Sequence, residues 1–449
     1  MRSASRRQRE AHRRRRREQV LASALTGVAL ASAVAGLGAG ARPLPDGGPD
    51  APPAATPAPV LTPTPAPTPG PAPSSTPTPA PDVTFTILSA GDVLPHASVN
   101  RSAALPGGGY DFVPLMAGVE EWTAGADLAL CSLEVPLAPP GEEVSAYPAF
   151  GAPGELVTAL AELGWDGCAT ATNHALDRGL AGVSHTLDML DAAGLGHVGT
   201  ARDAGEAAQP QLYVLRRGER EIVVAHLAAT TLLNGPAAPA AAPWAVTRAD
   251  AGALTEQARA AREAGADVVV ASLHWGVEYV HSPTREQLEI AAALADGGQI
   301  DVVLGNHSHV PQPIEQLPGG PDGAGMWVAW SMGNFLSNQD DECCTMETAT
   351  GVMTTTTVEV PADGPARVTG LGWAPVTVDR DGEHRIYPLL DLAAGAGPSG
   401  LRLDDATIAS RAARVTEVMG ADRVRREAAD PTGPEPEVVP RGLRAVSGP

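Results

Sequence analysis

The sequence predicts a layered α/β fold with a mixed sheet or two stacked sheets, and three observations predict it. From Thr84 to Leu304, apolar runs of strand length alternate with stretches of helical spacing. From Met326 onward the helical spacing stops and strand-like runs follow one another. Several of the apolar runs also end on Asp, Glu, Asn or His, the pattern left by strands that finish at the carboxyl edge of a sheet, where ligands bind.

The first strand is TFTILSAGD, Thr84 to Asp92, by its alternation and its Gly-Asp ending. Helical spacing around Phe112 to Trp122 leads to ADLALCSLE, Ala126 to Glu134, a second strand ending in a carboxylate. GELVTALAELG, Gly154 to Gly164, combines a helical stripe with a glycine stop, and DGCATATNH, Asp166 to His174, follows as a strand. Next come a helix over Val183 to Ala193, a short strand at His197 to Gly199 and a longer strand at Glu221 to Ala229. A helix over Ala251 to Ala264 feeds ADVVVASLHWG, Ala266 to Gly276, and a helix over Arg285 to Leu294 feeds DVVLGNHSHVPQPIE, Asp301 to Glu315. MWVAWSMGNF (Met326 to Phe335), VMTTTTVEV (Val352 to Val360) and ARVTGLGWAPVTVD (Ala366 to Asp379) complete the strands.

The flanks differ in composition, so the 449 residues divide into four segments: 1–42, 43–82, 83–392 and 393–449. Residues 1–18 hold nine Arg against two Glu, and Val20 to Ala41 carries no charge. A basic segment followed by an apolar run reads as a secretory signal cleaved near Ala39 to Ala41, or as a retained signal anchor. Either way the Arg cluster belongs in the cytoplasm and the rest outside it, secreted or tethered to the cell membrane. Residues 43–82 are rich in Pro, Ala and Thr and form a spacer, reaching up to ~120 Å at the ~3.1 Å rise of polyproline II. The core is expected to end near Leu392, with an amphipathic helix over Asp404 to Met419 and a disordered tail from Asp430 to Pro449.

All 31 basic residues are Arg, and without the first 18 residues 22 basic side chains face 50 acidic ones, a balance of −28. Such a body does not bind nucleic acid or anionic lipid through bulk charge. Four cysteines in so long a chain make no disulfide framework. Cys343 and Cys344 can each pair with Cys131 or Cys168, whereas adjacent cysteines rarely pair with each other.

The most pointed chemistry lies in Asp301 to Glu315, where Val302 to Gly305 run into Asn306, His307, Ser308 and His309. In an extended backbone alternate side chains share a face, so His307 and His309 can address one metal or one phosphate. The other strand endings add Asp92 with His96, Glu134, Asn173 with His174 and Asp177, and His274, a ligand set suited to a hard or borderline divalent cation. Each has a structural alternative: Asp92 as a turn residue, Glu134 as a cap or surface carboxylate, Asn173 as an N-cap, His274 as a satisfied core histidine. Recurrence at strand ends favours one shared site. His185, His197, His226, His281 and His384 are assigned structural roles. In WSMGNFLSNQ, Asn334 and Gln339 are candidates for binding substrate, although Gly333-Asn334 also suits a tight turn.

Taken in order, SAGDVLPH, SLEVP, ATNHALDRG, ASLHWGVEY, LGNHSHVPQPIE and WSMGNFLSNQ resemble the block signature of the capsule synthesis protein CapA family, linked to poly-gamma-glutamate capsules. The resemblance runs from Thr84 to Leu390. It implies a layered α/β/β/α sandwich resembling calcineurin-like metallophosphoesterases and a membrane-tethered protein outside the cytoplasm. It further implies two divalent ions, Mn, Zn or Fe. Glu134 would bridge them, Asp92 and His96 with His309 would hold one, and Asn173, His274 and His307 the other. His174 would act as general acid over the leaving group, with Asp177 grouped beside it as a catalytic candidate. Two departures from the phosphoesterase pattern stand out: the histidine after Asp92 comes four residues on, and the bridging position carries Glu134 in place of Asp. The implied partners are an anionic capsular or envelope polymer or a phosphoester substrate, together with membrane-bound polymer synthase subunits. A non-catalytic accessory of polymer synthesis or export is the competing expectation.

Overall fold

The computed structural model describes residues 82–235 and 237–441. The expectations for the basic segment, the apolar run and nearly all of the spacer lie outside these residues. Among the described residues no helix is long and apolar enough to cross a membrane.

The strands, in chain order, are β1 (Val83–Val93), β2 (Leu128–Leu133), β3 (Gly167–Ala169), β4 (Gly196–Val198), β5 (Gln211–Arg217), β6 (Arg220–Thr230), β7 (Val268–His274), β8 (Val302–Asn306), β9 (Pro311–Leu317), β10 (Met326–Met332), β11 (Asn334–Leu336), β12 (Thr350–Val360), β13 (Arg367–Asp379), β14 (Arg385–Pro388) and β15 (Glu437–Val439). One sheet runs β14-β13-β12-β1-β2-β3-β4, with β11 beside β1, and the other runs β15-β5-β6-β7-β8-β10-β9. In the first sheet β1 to β4 are mutually parallel. In the second, β6, β7, β8 and β10 are parallel. Antiparallel strands close the outer flanks.

Alternation along these strands puts one apolar set between the sheets and the other beneath helices. Phe85, Ile87, Leu128 and Leu130 meet Val224, Val268, Val270, Val302 and Leu304 across the interface of the sheets. The opposite face of the first sheet, including Leu88 and Leu133, packs on Leu156, Leu160, Leu187 and Leu190 of the helices Glu155–Glu162 and Gly179–Ala192. The opposite face of the second, including Val269 and Val303, packs on Leu254, Ala258, Ala291 and Leu294 of the helices Ala251–Glu263 and Arg285–Gly297. The layers are therefore helix, sheet, sheet, helix, the α/β/β/α sandwich expected. Each large apolar side chain buried this way contributes on the order of 1.5–3 kcal/mol. The helix Arg285–Gly297, which delivers the chain into β8, starts on a Thr284/Gln287 capping box and stops on Gly298 at φ 66.

The structure departs from the sequence reading in several places, among them the strand expected over Met326 to Phe335, which is split between β10 in one sheet and β11 in the other. The helix expected at Phe112 to Trp122 is broken into Val113–Met116, a 3₁₀ turn Ala117–Val119 and Glu120–Gly125. The strand expected over Asp166 to His174 pairs only from Gly167 to Ala169, and residues beyond it turn away toward the site. Unexpected β9 carries Pro311 and Pro313 yet pairs with β10; it lies at the sheet edge, where missing N–H donors are tolerated. The tail expected from Asp430 instead includes β15 on β5, and Arg441 is buried with its guanidinium donating to the carbonyls of His197 and Thr200. Its charge and five donors are invisible to a reading by apolar periodicity. Cys131 and Cys168 are disulfide-bonded register partners on β2 and β3, and Cys343 is bonded to Cys344, against the expectation for adjacent cysteines.

Candidate metal centre

Parallel strands aim their carboxyl ends the same way, so Asp92 on β1, Glu134 just past β2, His274 closing β7 and the loop after β8 converge at one edge of the sandwich. Glycine allows that approach: a Cβ at Gly91 would lie 2.1 Å from the Gly333 carbonyl oxygen, and one at Gly305 2.0 Å from that of Trp330. The β8 loop itself is strained, with His307 at φ 94 and His309 at φ 56. Such backbone costs of order 1–3 kcal/mol per residue and persists where the surroundings impose it.

Asp92 and Glu134 are fully buried, and His274, His307, His309 and Asn173 nearly so. Asp92 accepts hydrogen bonds from the His307 N–H (3.0 Å) and the Ser132 hydroxyl (3.0 Å). His274 places Nδ1 3.7 Å from Asp92 and Nε2 3.8 Å from Glu134; His309 places Nδ1 3.7 Å from Asp92 and Nε2 3.8 Å from Glu134. Asn173 Oδ1 lies 2.9 Å from His274 Nε2. Both Glu134 oxygens, with Nδ1 of His274 and of His307, are buried without a hydrogen-bond partner. A buried carboxylate with neither donor nor counter-charge is among the costliest arrangements a protein can hold. Carboxylate, amide and imidazole groups around that orphan are the donor set of a divalent cation, and ligand atoms of Asp92, Glu134 and His309 fall within 4.8 Å of one another. The residues fit a metal.

The electrostatics agree. Burial pushes the Asp92 carboxyl up to about 7, against the opposing hydrogen bonds from His307 and Ser132. Burial, then the charges of Asp92, Glu278 and Asp177, raise Glu134 well above the carboxylate range. Burial lowers His307 to about 4 and His309 to about 3, and burial with the neighbouring imidazoles lowers His274 well below the usual histidine range. Burial thus favours the neutral imidazoles, whose lone pairs can ligate, and a cation would offset the cost of ionising the buried carboxylates.

A cleft of 1060 Å³ opens above the centre, lined among others by His96, His174, Asp177, Glu278, Tyr279 and Gln339. His174 Nδ1 lies 2.7 Å from Asp177 Oδ2, which also accepts from the Phe150 N–H at 2.8 Å, and Nε2 faces the Asn234 amide at 3.3 Å. His96 stands apart from the cation triad. Its Nδ1 lies 3.0 Å from the Leu94 carbonyl and 3.3 Å from the Asn338 N–H, and its ring meets the edge of Phe150. The four-residue gap after Asp92 carries it into the cleft wall. Asn334, expected to touch substrate, instead orients His309: its Oδ1 is 3.0 Å from His309 Nδ1, and its amide donates to Gln339 and to the Thr348 carbonyl. Gln339 does line the cleft.

Of the histidines assigned structural roles, His226 lies 2.8 Å from Ser272, His197 3.0 Å from Asp191 and His384 2.8 Å from Ser102. Glu278 and Asn234 were missed. Glu278 sits in HWGVEY, four residues past His274, and that proximity was the available signal. Asn234 lies in a Gly/Pro/Ala-rich loop with no periodicity to mark it.

Residues 86–339 match the family model described as bacterial capsule synthesis protein PGA_cap. Over 186 residues the chain is 31% identical to the PGA biosynthesis protein CapA of Bacillus subtilis (strain 168), covering 41% of this chain and 46% of that protein. Over 204 residues it is 31% identical to a Mycobacterium tuberculosis (strain ATCC 25618 / H37Rv) protein named "Probable polyglutamine synthesis accessory protein", covering 43% of this chain and 53% of that one. The chain thus spans about half the length of the curated relatives it matches. Among solved structures it is similar to the NAD nucleotidase of Haemophilus influenzae, at 14% identity and a TM-score of 0.39, over 75% of this chain and 60% of that one.

Proposed function

The chain belongs to the bacterial capsule synthesis protein family PGA_cap, and from that membership we propose that it acts outside the cytoplasm as a metal-dependent, phosphoesterase-like hydrolase of capsular or envelope polymer metabolism. The observation that carries the hydrolytic reading is Glu134, buried with both carboxylate oxygens unpartnered between the imidazoles of His274 and His309. Asp92, Glu134, Asn173, His274, His307 and His309 would hold divalent metal, Mn, Zn or Fe. When bound, it would supply Lewis-acid stabilisation of charge developing on a phosphoryl oxygen. The remaining chemistry falls to the chain. Asp177, 2.7 Å from His174 Nδ1, orients the ring so that Nε2 faces the cleft, where His174 would serve as the general acid toward a leaving oxygen. The Phe150 N–H and the Asn234 amide hold that pair in place, and Gln339 offers a polar contact to the substrate. The proposed location follows from the Arg-rich start and the apolar run after it, and the proposed partners are membrane-bound synthase subunits and an anionic polymer or phosphoester.

The test is hydrolysis of phosphate mono- and diesters by protein loaded in turn with Mn, Zn and Fe, beside the His174→Ala variant. The proposal expects turnover that falls about 10²-fold or more in the variant at unchanged metal content. No turnover with any of the three metals would favour a second reading, a non-catalytic accessory of polymer synthesis or export, supported by the name of the mycobacterial relative.

A further inference from the structure

We infer that Glu278 is a third carboxylate of this centre and, with His307, holds a second divalent cation beside the one between Asp92, Glu134 and His309. The inference rests on the metal-centre reading above. Ligand atoms of Glu278, His307 and His309 lie within 4.8 Å of one another, as do those of Asp92, Glu134 and His309, so two triads meet at His309. An imidazole nitrogen offers one in-plane lone pair and therefore serves one ion at a time. Once His309 closes the buried triad, Glu278 and His307 remain as the pair for its neighbour. His307 is 3% exposed, yet its Nδ1 has no hydrogen-bond partner.

An exposed glutamate is ordinarily a solvated one. Glu278 differs in how its backbone is held. The Trp275 N–H donates to the Asn306 carbonyl (3.1 Å) and the Tyr279 N–H to the Ser308 carbonyl (2.8 Å). Gln312 donates to the carbonyls of Val280 (2.8 Å) and Ser282 (3.1 Å). The loop bearing Glu278 is therefore stitched, on both sides of that residue, to the loop that bears His307 and His309. Tyr279, next in sequence, is held at φ 64, a strained conformation for a bulky side chain that the stitching imposes. Charge points the same way. Two carboxylates leave a pair of divalent ions with two uncompensated charges, and a third at the cleft mouth removes one. Because Glu278 faces solvent, its ion should exchange more readily than the buried one.

The experiment is manganese stoichiometry by equilibrium dialysis and elemental analysis, with electron paramagnetic resonance of the loaded protein, for wild type and Glu278→Gln. The expected result is two Mn per wild-type chain with a spin-coupled spectrum, and one Mn with an uncoupled spectrum in the variant at unchanged metal-free melting temperature. Two Mn in both proteins, or one in wild type at every concentration, would overturn the assignment of Glu278 while leaving a metal centre standing. No Mn in wild type would overturn both the assignment and the reading beneath it.

Discussion

Glu134 concentrates the chemistry of the centre in one side chain, because both its carboxyl oxygens are unpartnered in a fully buried position. Replacing it by Gln removes the charge and keeps the shape. The expected outcome in a thermal melt is a metal-free variant at least as stable as wild type that gains less stability from Mn than wild type does. Wild type should gain about 2.7 kcal/mol at a hundredfold excess of Mn over Kd. A Glu134→Gln protein stabilised by Mn as much as wild type would remove Glu134 from the ligand set. At this scale much was legible: Asp92, Glu134, Asn173, His274, His307 and His309 each stand at or a few residues past a strand end, and the structure gathers them. His96 and Asn334 misled because residue type is visible in a sequence and side-chain direction is not. One follows a loop whose extra residues turn it into the cleft wall, and the other is occupied by His309, Gln339 and Thr348.

At the scale of elements, the site depends on how closely the end of β8 approaches β10. A Cβ at position 305 would also lie 2.7 Å from Trp275 Nε1, whose N–H donates to the Trp330 carbonyl at 3.0 Å. Gly305→Ala should destabilise the protein by roughly 1–3 kcal/mol, read by denaturant unfolding, and weaken Mn binding, because the strand carries the His307–His309 loop. Unchanged stability and binding would show that the two strands have room to part. The parallel strands β1, β2, β7 and β8 were readable as apolar runs with polar ends. The edge strands β9 and β15 were not: β9 has two prolines, and β15 is a three-residue pairing inside a polar tail, so neither carries the alternation that marks a half-buried strand.

For the whole molecule, the two sheets bury histidines as well as aliphatic side chains. His226 lies on β6 with Nε2 2.8 Å from Ser272 on β7, and burial holds its pKa down at about 3, below the ordinary 6.5. Its stabilising contribution is fully present above pH 6.5. As the pH falls from 6.5 toward 3 that contribution is lost, because the unfolded chain takes a proton the folded one refuses. His226→Gln should flatten the pH dependence of stability in that window by one proton, about 1.4 kcal/mol per pH unit. An unchanged slope would mean that His226 is protonated in the folded protein. The layer order was legible because helical and strand periods alternate and then give way to strands alone; the stacking of two sheets was left open, since a single mixed sheet produces the same alternation.

The cation-holding pocket itself is tested most directly by anomalous scattering from crystals of the protein grown with Mn and measured at the Mn absorption edge. A peak about 2.0–2.2 Å from a Glu134 carboxylate oxygen and from a His309 ring nitrogen is the predicted result. Full Mn exposure with no peak within reach of Glu134, or peaks confined to exposed acidic side chains elsewhere, would contradict it.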